Sequence, residues 1–234
     1  MIEGLPFYVP VVFILTTLAT IWFLLAAAKS VSRDSFSYRI LIFLLPFWLL
    51  LTGFLATTPF YRNPEAMPPR VFLFGVWPAV GLIIAYFAFF RRSFIEKLSL
   101  KPLTLLHTVR FPVELVLLWL YQAGQVPQLM TFEGWNFDIL SGLSAPVVYF
   151  LAFRNGSTNR TLLIVWNVIA LGLLANIVTL AVLSFQGPMQ RLAFDQPNVG
   201  VTFLPFIWLP AIIVPVVLFS HLAALWQLIS RRTS

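Results

Sequence analysis

Residues 102–123 read PLTLLHTVRFPVELVLLWLYQA. The stretch is long and apolar enough to cross a bilayer as a helix, which takes about 20 residues, yet it carries His107, Arg110 and Glu114. At 100° per residue these three side chains lie within about 60° of one another around the helix, and Tyr121 and Gln125 continue the stripe. Val109, Phe111, Val113, Val116 and Leu120 form an opposite, lipid-compatible side. The polar stripe is therefore expected to face the interior of a helix bundle. An ionisable side chain at membrane depth costs roughly 2.5–3.5 kcal/mol on insertion scales, so it needs partners and marks a candidate functional site. Arg110 and Glu114, spaced i and i+4, are expected to offset that cost as a pair. Pro112 between them removes an N–H and should bend the helix and free a carbonyl.

What flanks this stretch is equally apolar. The 234-residue chain is 60% hydrophobic and 10% charged, against about 25% charged in soluble domains. One water-soluble core cannot hide that much apolar surface, so the solvent is lipid, and the chain reads as one polytopic domain over residues 1–234. Its 24 Phe and 8 Trp suit lipid-facing surfaces and interfacial belts. The absence of cysteine excludes disulfides, thiolate metal sites and cysteine nucleophiles. A net charge of +7 would point to nucleic acid in a soluble protein; here it is a topology signal and no nucleic acid is expected. Only Glu3 precedes the first apolar run, so a cleavable signal peptide is not expected.

Spans are expected at 6–28, 38–57, 70–90, 102–123, 138–154, 161–185 and 203–229, separated by turn signals such as Asn63-Pro64, Pro68-Pro69 and Gln186-Gly187-Pro188. The fold class is thus all-α integral membrane, a seven-transmembrane-helix bundle. Alternating the loops between two sides gathers Lys29, Arg33, Arg39, Arg91, Arg92, Lys97, Lys101, Arg154, Arg160, Arg231 and Arg232 on one side and leaves Arg62, Arg70 and Arg191 on the other, eleven against three. Positive charge stays inside, which puts the N-terminus outside and the C-terminus in the cytoplasm, in a plasma (inner) membrane. The sequons at Asn155 and Asn159 then fall on the cytoplasmic side and read as chance matches.

Other positions join the candidate site. Counting from the cytoplasmic helix ends places His107 and His221 in one layer, and two imidazoles can hold a haem iron or another metal; the simpler reading is a hydrogen bond from each ring to a neighbour such as Ser220. Asn167 and Asn176 lie on opposite sides of span six, so at most one faces the cavity, and Asn176 is taken as a binding candidate with His107, Arg110, Glu114 and Tyr121. The loop from Gly124 to Asp138 mixes turn formers with Met130, Phe132, Trp135 and Phe137. It is expected to fold back as a lid or interfacial segment, with Glu133, Trp135 and Asp138 forming an outer-loop site. Alternatively Trp135 and Phe137 anchor at headgroups while Asp138 caps span five. Ser141, Gly142, Ser144 and Ala145 let another helix approach span five closely, which makes that span central. Pro146, and Pro205, Pro210 and Pro215 in span seven, imply irregular backbone.

In span count and orientation the chain resembles microbial rhodopsins and SWEET-type sugar transporters, and Pro127-Gln128 is similar to the pair of PQ-loop transporters. Span seven has no lysine for a retinal Schiff base, and no family is assigned on these residues. Three functions stay open. The first is binding or transport, proton-linked or not, of a small anionic or amphipathic molecule held against Arg110, with Glu114 and His107 tuning charge. The second is an integral-membrane enzyme acting on a lipid or isoprenoid through Glu114, or Glu133 with Asp138. The third is a non-catalytic assembly or scaffold protein. Membrane lipids and a small-molecule ligand are the expected partners, and an oligomer is compatible with the sequence.

Overall fold

A computed structural model describes residues 2–230. Among these the chain is helical, with no strand beyond a single bridge between Phe185 and Asn198. Seven helices run as α1 Tyr8–Ser30, α2 Phe36–Thr57, α3 Phe72–Phe89, α4 Leu100–Gln122, α5 Ile139–Ala152, α6 Arg160–Leu183 and α7 Leu209–Ser230. Six are long and apolar enough to cross a membrane; α5, of 14 residues, rises about 21 Å against the roughly 30 Å of a hydrocarbon core. Of the seven expected spans, six are thus helices of spanning length and the fifth is a shorter apolar helix. Arg231 and Arg232, counted in the charge asymmetry, lie outside the described residues.

Why α5 is short follows from the loop before it. Val126, Met130, Thr131 and Asn136 are fully buried, so the chain leaving α4 turns back into the bundle and runs down alongside that helix. Asn136 reaches Glu114, Asp138 reaches Arg110, and Gly142 lies against Phe111. Arg110 stands near the middle of α4, so α5 starts part-way down it. Non-helical backbone at this depth is tolerated because protein surrounds it. The last residues of the loop alternate as an extended chain does: Trp135 and Phe137 are exposed, Asn136 and Asp138 buried. The loop is thus an inserted segment, not a lid over an outer mouth. A Cβ at Gly142 would sit 2.4 Å from the Phe111 nitrogen, so this helix contact requires glycine.

Helix α4 is enclosed. Val109, Val113, Val116 and Leu120, the face expected to meet lipid, are buried inside the bundle, with α1 packed along the helix and Val113 lining a cavity; of the face, only Phe111 stays partly exposed. Irregular backbone occurs in α7, where Pro210 and Pro215 predict it, and also in α3, whereas α5 is one continuous helix through Pro146. Both α3 and α7 open with a π-helical turn, at Phe72–Val76 and Leu209–Ile213, and these turns pack together. In α4 a tight turn at His107–Val109 precedes Arg110. Pro215 cannot donate to the carbonyl of Ala211, and the Trp48 indole does so instead at 3.2 Å.

Candidate functional site

Arg110, 2% exposed, organises the centre. Its Nε donates to Asp138 Oδ2 at 2.6 Å and its Nη2 to the other carboxylate oxygen, a bidentate pair. Nη2 also donates to the Ala170 carbonyl at 3.0 Å, and Nη1 to His221 Nε2 at 3.1 Å. Four acceptor atoms on three residues thus take four of the five N–H groups of the guanidinium. The expected pair between Arg110 and Glu114 does not form: the guanidinium pairs with Asp138 instead. The order is one reason, because acid preceding base is the better arrangement at i,i+4 and here the base comes first. The other is that the close approach at Gly142 delivers Asp138 to the guanidinium from a second element. Asp138 does occupy the N-cap position of α5, but its side chain makes no cap bond and serves Arg110 instead.

Because a guanidinium only donates, His221 Nε2 must accept, which leaves Nδ1–H to donate to Asn167 Oδ1 at 2.8 Å. The amide of Asn167 is turned the right way, its Nδ2 donating to the Leu163 carbonyl. His221 is thereby fixed as the neutral Nδ1–H tautomer. His107 shares its layer, as the residue count predicts: the rings stack at 3.8 Å and 22°, with Trp166 edge-on to His107. Ser220 pairs with His107 Nε2 at 2.9 Å. Face-to-face imidazoles do not converge their lone pairs on one ion, nor do they lie on opposite sides of a porphyrin, and both nitrogens of His221 are engaged. The geometry does not fit haem or metal ligation by His107 and His221, and no group of three His, Asp or Glu suited to a metal forms among the described residues.

Glu114, 1% exposed, is held by Asn136, whose Nδ2 lies 2.7 and 2.8 Å from its two carboxylate oxygens and also donates to the Met130 carbonyl. Asn136 Oδ1 in turn accepts from the Asp138 amide. Arg110, Glu114 and Asp138 are the buried Arg, Asp and Glu side chains among the described residues, and all three line one cavity of about 330 Å³. Its remaining walls are nearly all apolar, including Trp77 of α3, Leu117 of α4, Ala181 of α6 and Val217 of α7. The exception is Asn198, 1% exposed, whose Oδ1 has no hydrogen-bond partner. Both π-helical turns contribute to the lining, consistent with the tendency of such turns to occur at functional sites.

The other expected residues lie elsewhere. Tyr121 is half-buried outside the cavity lining and contributes its carbonyl to Gln196. Asn176 bonds the Trp135 carbonyl and steadies the inserted loop; it is Asn167 that faces the polar cluster. Glu133 is exposed and Trp135 is 66% exposed, so Glu133, Trp135 and Asp138 do not form one outer site. Sequence reasoning missed Asn136, Asn167 and Asn198 as site residues. Depth would have chosen correctly between the span-six asparagines, since Asn167 lies seven residues from the start of α6 and His107 seven from the start of α4.

Fold and site together define a polytopic helical bundle with a charged cluster set in the wall of an otherwise apolar cavity. The chain belongs to the family described as Domain of unknown function (DUF8737), which matches residues 67–229 and so contains every residue of this cluster. No curated protein matches the chain, and no solved structure does.

Proposed function

We propose that this protein binds, and passes across the membrane, a small amphipathic molecule whose apolar part fills the cavity between α3, α4, α6 and α7. In this reading the chain crosses seven times, with the inserted loop and α5 together making the fifth crossing, the N-terminus outside and the C-terminus in the cytoplasm of a plasma (inner) membrane. The observation that carries the proposal is that every buried Arg, Asp and Glu side chain among the described residues lines the same cavity. Charges needed only to fix packing have no reason to collect where space is left beside them. A polar cavity of about 250 Å³ shares Phe185 and Asn198 with the apolar one, which supports access from the outer side.

Native mass spectrometry of the protein in nanodiscs is expected to show a bound small amphiphile that is lost in Ala181→Trp, where the indole fills the cavity. Retention of the adduct in that variant would reject the site. A chemically altered adduct would favour the enzyme reading, with Glu114 as the proton donor or acceptor in the cavity wall. A co-purifying protein and no small molecule would favour the scaffold. Orientation is tested on the naturally cysteine-free chain: Glu65→Cys should react with an impermeant maleimide from outside and Arg92→Cys only after lysis. The reverse pattern would invert the topology.

A further inference from the structure

Apart from one N–H remaining on Arg110 Nη1, the polar atoms left over around the cavity are acceptors, and this decides the kind of head group that suits it. Arg110 is occupied by Asp138, Ala170 and His221 and is a poor anchor for an anion. Asp138 spends both oxygens on Arg110. Glu114 offers two carboxylate oxygens, with about four lone-pair sites, to a single amide nitrogen that it shares with the Met130 carbonyl. Asn198 adds a buried carbonyl oxygen with no partner. The buried side-chain atoms without partners that can only donate, Nε of Arg91 and Arg160 and Nε1 of Trp226, do not lie in the lining. With all three groups ionised, Arg110, Asp138 and Glu114 sum to one negative charge. The aromatic walls, Phe72, Trp77 and Phe185, add π faces that attract cations.

We infer that the head group taken by this cavity is cationic, an alkylammonium whose N–H or N–CH₃ groups meet Glu114 and the Asn198 carbonyl oxygen while its chain lies against the apolar walls. The inference rests on the proposed binding cavity and reverses the anionic head group that Arg110 alone would imply. A protonated amine supplies the donors that both acceptors lack and cancels the residual charge in a low-dielectric site, where an unpaired carboxylate is costly.

The test compares four ten-carbon probes on the full chain in zwitterionic nanodiscs: decylamine, decyltrimethylammonium, decanol and decyl sulfate. Specific binding is taken as the part abolished by Ala181→Trp and retained in Ala79→Trp, a substitution in a separate apolar cavity. Decylamine is expected to bind about tenfold or more tighter than decanol, and decyl sulfate more weakly than decanol. Glu114→Gln, which still offers Asn136 an acceptor, should erase the preference for the amine and leave decanol unchanged. Equal or tighter specific binding of decyl sulfate by the unaltered protein overturns the inference without recourse to any Glu114 variant. Specific binding of all four probes with no order among them overturns the inference and leaves the cavity standing as a binding site. No specific binding of any probe overturns both.

Discussion

Two cavities lie against different faces of α7, and they differ in what their polar atoms still need. The one bounded by α1, α2, α3 and α7 has about 410 Å³ and the one carrying the charges about 330 Å³. The larger is lined by Leu, Ala, Pro and aromatic side chains, and its polar groups are already satisfied: Tyr86 donates to the Ser37 carbonyl at 2.7 Å and Trp48 to Ala211. The smaller keeps a carboxylate and an amide oxygen short of donors. Volume and greasiness are therefore poor guides to function in a membrane bundle, where loosely packed space between helices can be filled by lipid chains. Unfinished hydrogen bonding is the better guide, because a buried polar atom without a partner costs about 1–3 kcal/mol.

The largest test of this contrast is the Arg110–Asp138 pair. Arg110→Leu would leave Asp138 buried without its partner and is expected to cost about 3–5 kcal/mol, whereas the double variant Arg110→Leu, Asp138→Leu should recover most of that loss. Resistance to thermal aggregation in detergent measures both. If the single variant is as stable as the parent, the cluster is wet enough to solvate a lone carboxylate and the picture of a closed charged wall fails. No pair in the larger cavity offers a comparable substitution, since it contains no charge.

How much of this was legible depended on whether a contact lay within one helix or between two. The run 102–123 announced its own helix and its polar side, and the depth count put His107 beside His221, now a stack at 3.8 Å. The small residues Ser141 to Ala145 announced a close helix approach, and Gly142 makes it. Periodicity within α4 could not reveal that Arg110 would be claimed by Asp138, because the i,i+4 partner is the only one that spacing makes visible. Asn136 was hidden for a related reason. Its neighbours Trp135 and Phe137 looked like headgroup anchors, yet in an extended segment the residue between two outward aromatics must point inward. The loop could be read as inserted only once that alternation was joined to the need of Glu114 for a donor.

The next effect in size separates two glycines, Gly142 at the contact of α5 with α4 and Gly81 on the larger cavity. In Gly142→Ala the new methyl meets the backbone of Phe111 at 2.4 Å, and backbone cannot turn aside as a side-chain end would. The shift of α5 needed to relieve it should cost about 1–3 kcal/mol and draw Asp138 away from Arg110, so that specific decylamine binding falls as well. Gly81, in α3 on the larger cavity, has no neighbouring atom within 4 Å of where an added methyl would sit. Gly81→Ala should therefore be neutral or stabilise by up to about 1 kcal/mol, through the usual helix preference for alanine. Equal damage from both would mean that α5 can slide along α4 freely and that the inserted loop is not held by this contact.

The smallest effect is expected at Glu133, five residues before Asp138 on the same loop. Its side chain lies on the exposed part of the segment, outside the cavity lining, whereas Asp138 is buried against Arg110. Glu133→Gln should change stability by no more than about 0.5 kcal/mol and leave the order of the four ten-carbon probes untouched. Because both carboxylates belong to one inserted loop, a general weakening of that loop would lower stability in variants at either position. A fall in decylamine affinity at Glu133 with stability unchanged would have a different meaning: the cation would be gathered at the exposed carboxylate on its way in, and the boundary of the binding region would have to be moved outward to include it.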